Sequence, residues 1–232
     1  VRTPKRRRIG AADWDLAAAR RQTARVPNSW VDGDKAKEYL GRADTLPHRG
    51  EGEGVLVRDL AGALPGRVLD LGCGDGRLTA LVLAAHPEST ALCVDMSPPM
   101  LQAATERFND DSRVSLATHN LDDELPFDGP FGAIITSLAV HHVTDERKRT
   151  LYAEAAQLLA PGGVFANLEI VASPTQALHD RWRDEMGARD DPADRLCDMT
   201  SQLAWIREAG LENVDCIWKW RSLALLRGER PR

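Results

Sequence analysis

From Arg67 onward the chain alternates between short apolar runs and longer stretches whose apolar positions recur at helical spacing. The strand-like runs are RVLDL (67–71), TALCVD (90–95), RVSLATH (113–119), GAIITS (132–137), VFANLEI (164–170), NVDCIWKW (213–220) and SLALLRG (222–228). Between the first five lie helical stretches at Leu78–Ala85, Pro99–Phe108 and Glu146–Leu159. Thr144 and Asp145 supply side-chain oxygens that can cap the third. Short apolar strands alternating with helices predict an α/β fold, a mostly parallel sheet with helices on both faces. The last two runs lie too close together for a crossover helix, which predicts an antiparallel C-terminal hairpin at one sheet edge.

Upstream the pattern differs. Residues 11–25 (AADWDLAAARRQTAR) predict a helix ending before Pro27, and a shorter helix is expected over Lys35–Leu40. RADTLPHRGEGEG (42–54) reads as a loop feeding a helix near Val55–Ala63, and LLAPGG (158–163) as a helix end and turn. The chain therefore divides into a basic, helical extension (1–26), an N-terminal helical segment (27–63) and a main domain (64–228) with an extra piece at 174–200.

With 232 residues and 43% hydrophobic content, the chain can build one large domain. No apolar run has bilayer length and the start is basic rather than signal-like, so no membrane partner and a cytoplasmic setting are expected. The four cysteines are scattered without a Cys-x-x-Cys pair, which indicates neither a zinc site nor a disulfide framework, and no metal is expected. A net charge of −5 argues against nucleic acid as partner. The exception, RTPKRRRIG at the start, reads as a solvated tail, with an arm for RNA or an acidic partner as the alternative.

The candidate chemistry begins at VLDLGCGDGRLT (68–79), where Gly72, Gly74 and Gly76 follow a strand and precede a helix. Bare backbone at the carboxyl edge of a parallel sheet lets a ligand lie against the main chain. Packing of helix on strand is the alternative use of such glycines. The next strand ends on Asp95, roughly twenty residues on, where a carboxylate can take both hydroxyls of a ribose. A dinucleotide site prefers Gly-x-Gly-x-x-Gly, and no Gly-Lys-Ser/Thr marks a P-loop.

The order VLDLGCGDG, VDMS, LLAPGG and a closing hairpin resembles the class I S-adenosylmethionine-dependent methyltransferases over roughly residues 50–228. The resemblance implies a Rossmann-like seven-stranded sheet, S-adenosylmethionine as cofactor and S-adenosylhomocysteine as product. By that resemblance Gly72 presents backbone to the methionine ammonium, Asp70 anchors the loop, and Gly74 and Gly76 leave space. Asp95 would bind the ribose, Met96 the adenine face, Asn120 and Leu121 the adenine edge, and Ser137 with Leu138 would pass beneath the sulfonium. Asn120 stands where the family commonly has Asp, so its amide oxygen accepts without charge assistance. The 27–63 segment would cover the cofactor, with Tyr39, Arg42 and Arg49 at the mouth and an arginine pairing with the methionine carboxylate.

Methyl transfer needs a base only when the nucleophile arrives protonated. His141 is the first candidate and His142 the second, with a helix-start structural role as the alternative. Glu169, ending the fifth strand, is expected to face the cleft and orient substrate or accept a proton, or to hydrogen-bond the following loop. The 174–200 piece, with His179 and Trp182, is expected to shape the acceptor site, while Trp205, Trp218 and Trp220 are expected to pack helix against edge strands. The function expected is methyl transfer to O or N of a small molecule, with a homodimer left open. A carboxy-S-adenosylmethionine synthase and a non-catalytic cofactor-binding module are the alternatives.

Overall fold

A computed structural model describes Gly41 and residues 45–61, 66–187 and 190–232. The basic arm, the 11–25 and 35–40 helices, Tyr39 and Arg42 lie outside these residues. The described chain runs α1 (Arg49–Leu60), β1 (Arg67–Leu71), α2 (Arg77–Ala85), β2 (Thr90–Asp95), α3 (Pro98–Phe108), β3 (Val114–Thr118), β4 (Phe131–Ser137), a 3-10 turn (Val140–His142) and α4 (Asp145–Leu158). It continues with β5 (Leu159–Ile170), α5 (Gln176–Glu185), α6 (Met199–Glu208), β6 (Glu212–Trp220) and β7 (Leu223–Glu229). The seven strands form one sheet in the order β3-β2-β1-β4-β5-β7-β6. The first five are parallel, while β7 runs antiparallel between β5 and β6, as the crowded final runs require.

Strand alternation divides the core in two. Leu69, Leu92, Ile134 and Phe165 face one apolar cluster with Leu151 and Tyr152 of α4 and Ile206 of α6. Val68, Cys93, Ile135 and Val164 face the other, with Leu56 and Leu60 of α1 and Leu78 and Val82 of α2. Among the described residues no helix is long and apolar enough to cross a membrane.

Two elements differ from the sequence pattern. First, α1 starts at Arg49, inside the stretch expected as a loop, despite Gly50, Gly52 and Gly54. A Cβ on Gly52 would lie 2.8 Å from Leu168 and Trp218 side-chain atoms, so the missing side chain lets the helix settle onto the sheet. The His48 ring, stacked on Trp220 at 4.2 Å, marks where the chain enters that helix. Second, LLAPGG ends α4 at Leu158 and carries Gly162 at φ 75° as expected, but β5 already opens at Leu159, paired with Phe131, and its register jumps through an irregularity to Val164 opposite Ala133. Trp218 and Trp220 pack against α1 and its start, and Trp205 packs on the core from α6.

Candidate functional site

Strand order reverses between β1 and β4, and the loops leaving these strands diverge around an open cavity. Gly72, Gly74, Asp95, Met96, Asn120, Leu121, Ser137, His142 and Arg49 all line it. The glycines, each at positive φ, divide their tasks. A Cβ on Gly72 would fall 2.4 Å from Ala139 Cβ, so this position lets the β1 and β4 loops touch. At Gly76 the obstruction is the Phe108 ring, 2.4 Å away, so this glycine packs α2 against α3 rather than leaving room for a ligand. Only Gly74 meets nothing within 4 Å; its bare backbone opens on the cavity.

Asp95 ties the turn down. One oxygen accepts the Gly74 N–H at 2.9 Å and the other the Ser97 N–H at 2.8 Å. A carboxylate offers about four acceptor positions, so capacity for a hydroxyl donor remains. Burial pushes the Asp95 carboxyl upward against the pull of those N–H groups. Asp70 does not line the cavity. It is buried beneath the turn and accepts from Thr79 Oγ1 at 2.6 Å, which joins the end of β1 to the first turn of α2. Desolvation raises its pKa to about 7.

Across the cavity, Asn120 Oδ1 accepts the Asp122 N–H at 3.0 Å. On the wall, Ser137 Oγ and His119 Nε2 are buried with no hydrogen-bond partner among the described residues. The pattern of residue types did not single out His119; burial lowers its pKa, so the ring favours its neutral form. Leu138, next to Ser137, holds φ 56° with its N–H donating to Leu168 O, an uncommon conformation for a branched residue at a cavity wall. Arg49 reaches the wall from α1 while its Nε donates to Glu53 at 2.8 Å. Glu53 is fully buried and also receives Arg77 Nε at 2.9 Å, which locks α1 to α2.

The two histidines separate. His142 lines the cavity, whereas His141 is buried behind it with Nδ1 2.5 Å from Glu169 Oε1. Glu169 is fully buried and absent from the wall, contrary to the sequence expectation; its Oε1 also accepts the Ile170 N–H at 2.7 Å. Burial works to lower the His141 pKa, but the charge and hydrogen bond of Glu169, with Asp194 beyond, outweigh it and the net shift is upward. Asp194 comes from the segment after α5, within the 174–200 piece expected near the acceptor, although only His179 and Trp182 stood out there by residue type. Lys148, fully buried, holds that segment by donating to Val143 O at 2.9 Å, Asp145 Oδ1 at 2.8 Å and Arg195 O. His179 and Trp182 sit apart from the wall, the first paired with Asp190 at 3.0 Å and the second beneath Lys219.

An open main-chain turn, a buried acid with spare acceptor capacity and orphaned polar atoms on a wall fit a nucleoside with a charged amino-acid tail. Residues 68–163 match the family described as a methyltransferase domain. Trans-aconitate 2-methyltransferase of Methylobacterium nodulans is 32% identical over 206 residues, covering 84% of this chain and 74% of that protein. An uncharacterized methyltransferase of Mycobacterium tuberculosis is 38% identical over 104 residues, 45% of this chain and 50% of its own length. Among solved structures, PigF with SAH aligns with a TM-score of 0.65 at 19% identity, covering 88% of this chain and 63% of PigF. An O-methyltransferase family protein from Burkholderia thailandensis aligns at 0.61 and 22% identity, covering 84% and 70%.

Proposed function

This chain belongs to the class I S-adenosylmethionine-dependent methyltransferases, and from that membership we propose that it methylates O or N of a small molecule in specialised metabolism, in a cytoplasmic setting. The observation carrying the cofactor half is the Asp95–Gly74 hydrogen bond, which aligns the acid and the open turn on one cavity. Asp95 receives the ribose hydroxyls, Gly72 and Gly74 offer main chain to the methionine end, and Met96, Asn120 and Leu121 flank the adenine. Ser137 lies along the wall toward the acceptor, and Arg49 takes the methionine carboxylate. When bound, S-adenosylmethionine supplies an electrophilic methyl on a sulfonium. That chemistry would join the methyl to an acceptor lone pair with the C–S electrons left on sulfur, and a hydroxyl acceptor's proton would pass to solvent. The chain's contribution is alignment and exclusion of water.

Among the described residues the wall carries Asp122 along with Arg49, while Asp75 is paired with Arg107 and Asp95 serves the ribose, so its charge is compatible with a hydroxyl, an amine or a carboxylate oxygen as acceptor. His142 contacts the acceptor side; His141 and Glu169 stand behind it and fix its surroundings. The test is calorimetric titration with S-adenosylhomocysteine, then incubation with alcohols, phenols, amines and trans-aconitate under mass detection. Binding followed by a 14-dalton gain on an oxygen or nitrogen of one of these acceptors is expected. A methyl found on carbon, or on none of them despite binding, would overturn the acceptor reading, and a carboxylated sulfonium recovered from the protein would overturn methyl transfer.

A further inference from the structure

His141, His142 and Asp194 converge beside the wall that His142 shares with the cavity, one ligand atom from each lying within 4.8 Å of the others. Asp194 Oδ1 stands 3.4 Å from His142 Nδ1 and 3.7 Å from His141 Nε2. The other nitrogen of His141 is committed to Glu169, so with Nδ1 as donor the Nε2 lone pair is turned toward Asp194. A ring lone pair and a carboxylate oxygen are both acceptors, and a cation placed between them, either a proton or a metal ion, turns their repulsion into attraction.

We propose that these three side chains form a binding site for a divalent transition-metal ion such as zinc or cobalt. Around an ion with bonds of about 2.1 Å, neighbouring ligand atoms stand roughly 3–3.5 Å apart; the two Asp194 distances are close to that spacing, and drawing in the group's widest separation takes an imidazole rotation of about an ångström. Two imidazoles with one carboxylate suit a borderline-soft divalent ion and leave coordination positions open. Glu169 acts as the outer carboxylate that fixes the tautomer and ring angle of a ligating histidine. The third ligand is pre-positioned as well. Arg195, adjacent to Asp194, donates its N–H to His141 O at 2.7 Å, and Lys148 holds the Arg195 carbonyl.

Because His142 also lines the cavity, an oxygen-bearing acceptor could fill an open position on the ion. The site goes beyond the methyl-transfer reading and does not rest on it, since ion binding and S-adenosylhomocysteine binding are measured separately. The experiment strips the tag-free 232-residue chain with chelator and titrates it with cobalt(II), then zinc(II), following visible absorption and heat. One saturable equivalent is expected for the wild type. Asp194→Asn should weaken it at least tenfold and Glu169→Gln about tenfold. Thermal melting and circular dichroism verify that each variant is folded, with His142→Ala as the second ligand variant if Asp194→Asn fails to fold. Absence of a saturable equivalent in the wild type, or affinity unchanged in Asp194→Asn, overturns the site and leaves a proton as the cation between the acceptors.

Discussion

Asp95 Oδ2 accepts the N–H of Gly74 at 2.9 Å, so the acid that ends β2 and the open point of the turn after β1 are one mechanical unit. Removing the carboxylate frees two backbone N–H groups, those of Gly74 and Ser97, as well as the ribose acceptor. Asp95→Ala should therefore weaken S-adenosylhomocysteine binding by about 2 kcal/mol, some thirtyfold in Kd. An unchanged calorimetric Kd would remove Asp95 from the cofactor site.

Gly74 and Gly76 should respond differently to alanine although both have positive φ. Gly76→Ala drives a methyl into the Phe108 ring and should cost about 2–3 kcal/mol of stability. At Gly74 the methyl meets open space, so denaturant melting should show only the backbone cost of about 1 kcal/mol. Cofactor affinity should fall by more than that stability loss accounts for. Equal melting losses would contradict the division of labour.

Asp70 gives a pH signature. Its pKa rises from 3.8 unfolded to about 7 folded, so the folded state binds the proton more tightly. Its stabilising contribution is full below about pH 4 and is lost as pH climbs through 7. In Asp70→Asn that component is missing. The stability difference between variant and wild type, from urea melts at pH 4 to 8, should shift in favour of the variant as pH rises. A difference that is flat across this range would place the Asp70 pKa near its unfolded value.

Lys148→Met keeps the aliphatic stem but strips the donors from Val143 O and Arg195 O. We expect a loss of about 2 kcal/mol and faster cleavage by trypsin in the segment carrying Asp194, read by limited proteolysis. Trypsin resistance equal to wild type would show that other contacts hold the segment.

Much of the fold was legible because strands buried on both faces must be apolar, and RVLDL, TALCVD and GAIITS have few other options. The hairpin was legible from chain length alone. The start of α1 was not: RGEGEG has poor helix propensity, and the close approach that Gly52 allows to Leu168 and Trp218, with the Arg49–Glu53–Arg77 contacts, makes a helix the better state. On the candidate site, the spacing of Gly72 and Gly74 to Asp95 pointed to one cavity, and the structure brings all three to it. The same glycine pattern could not distinguish Gly76, whose neighbour Phe108 arrives from another helix.

The sequence by itself determined the alternation of strand and helix, the open turn after β1 and the acid closing β2, because these follow from local periodicity and spacing. The tertiary structure decided which histidine reaches the cavity, that Glu169 turns inward to His141, and that Asp194 arrives beside both. Those relationships join residues far apart in the chain through packing and buried hydrogen bonds, and a linear pattern carries no record of such distances.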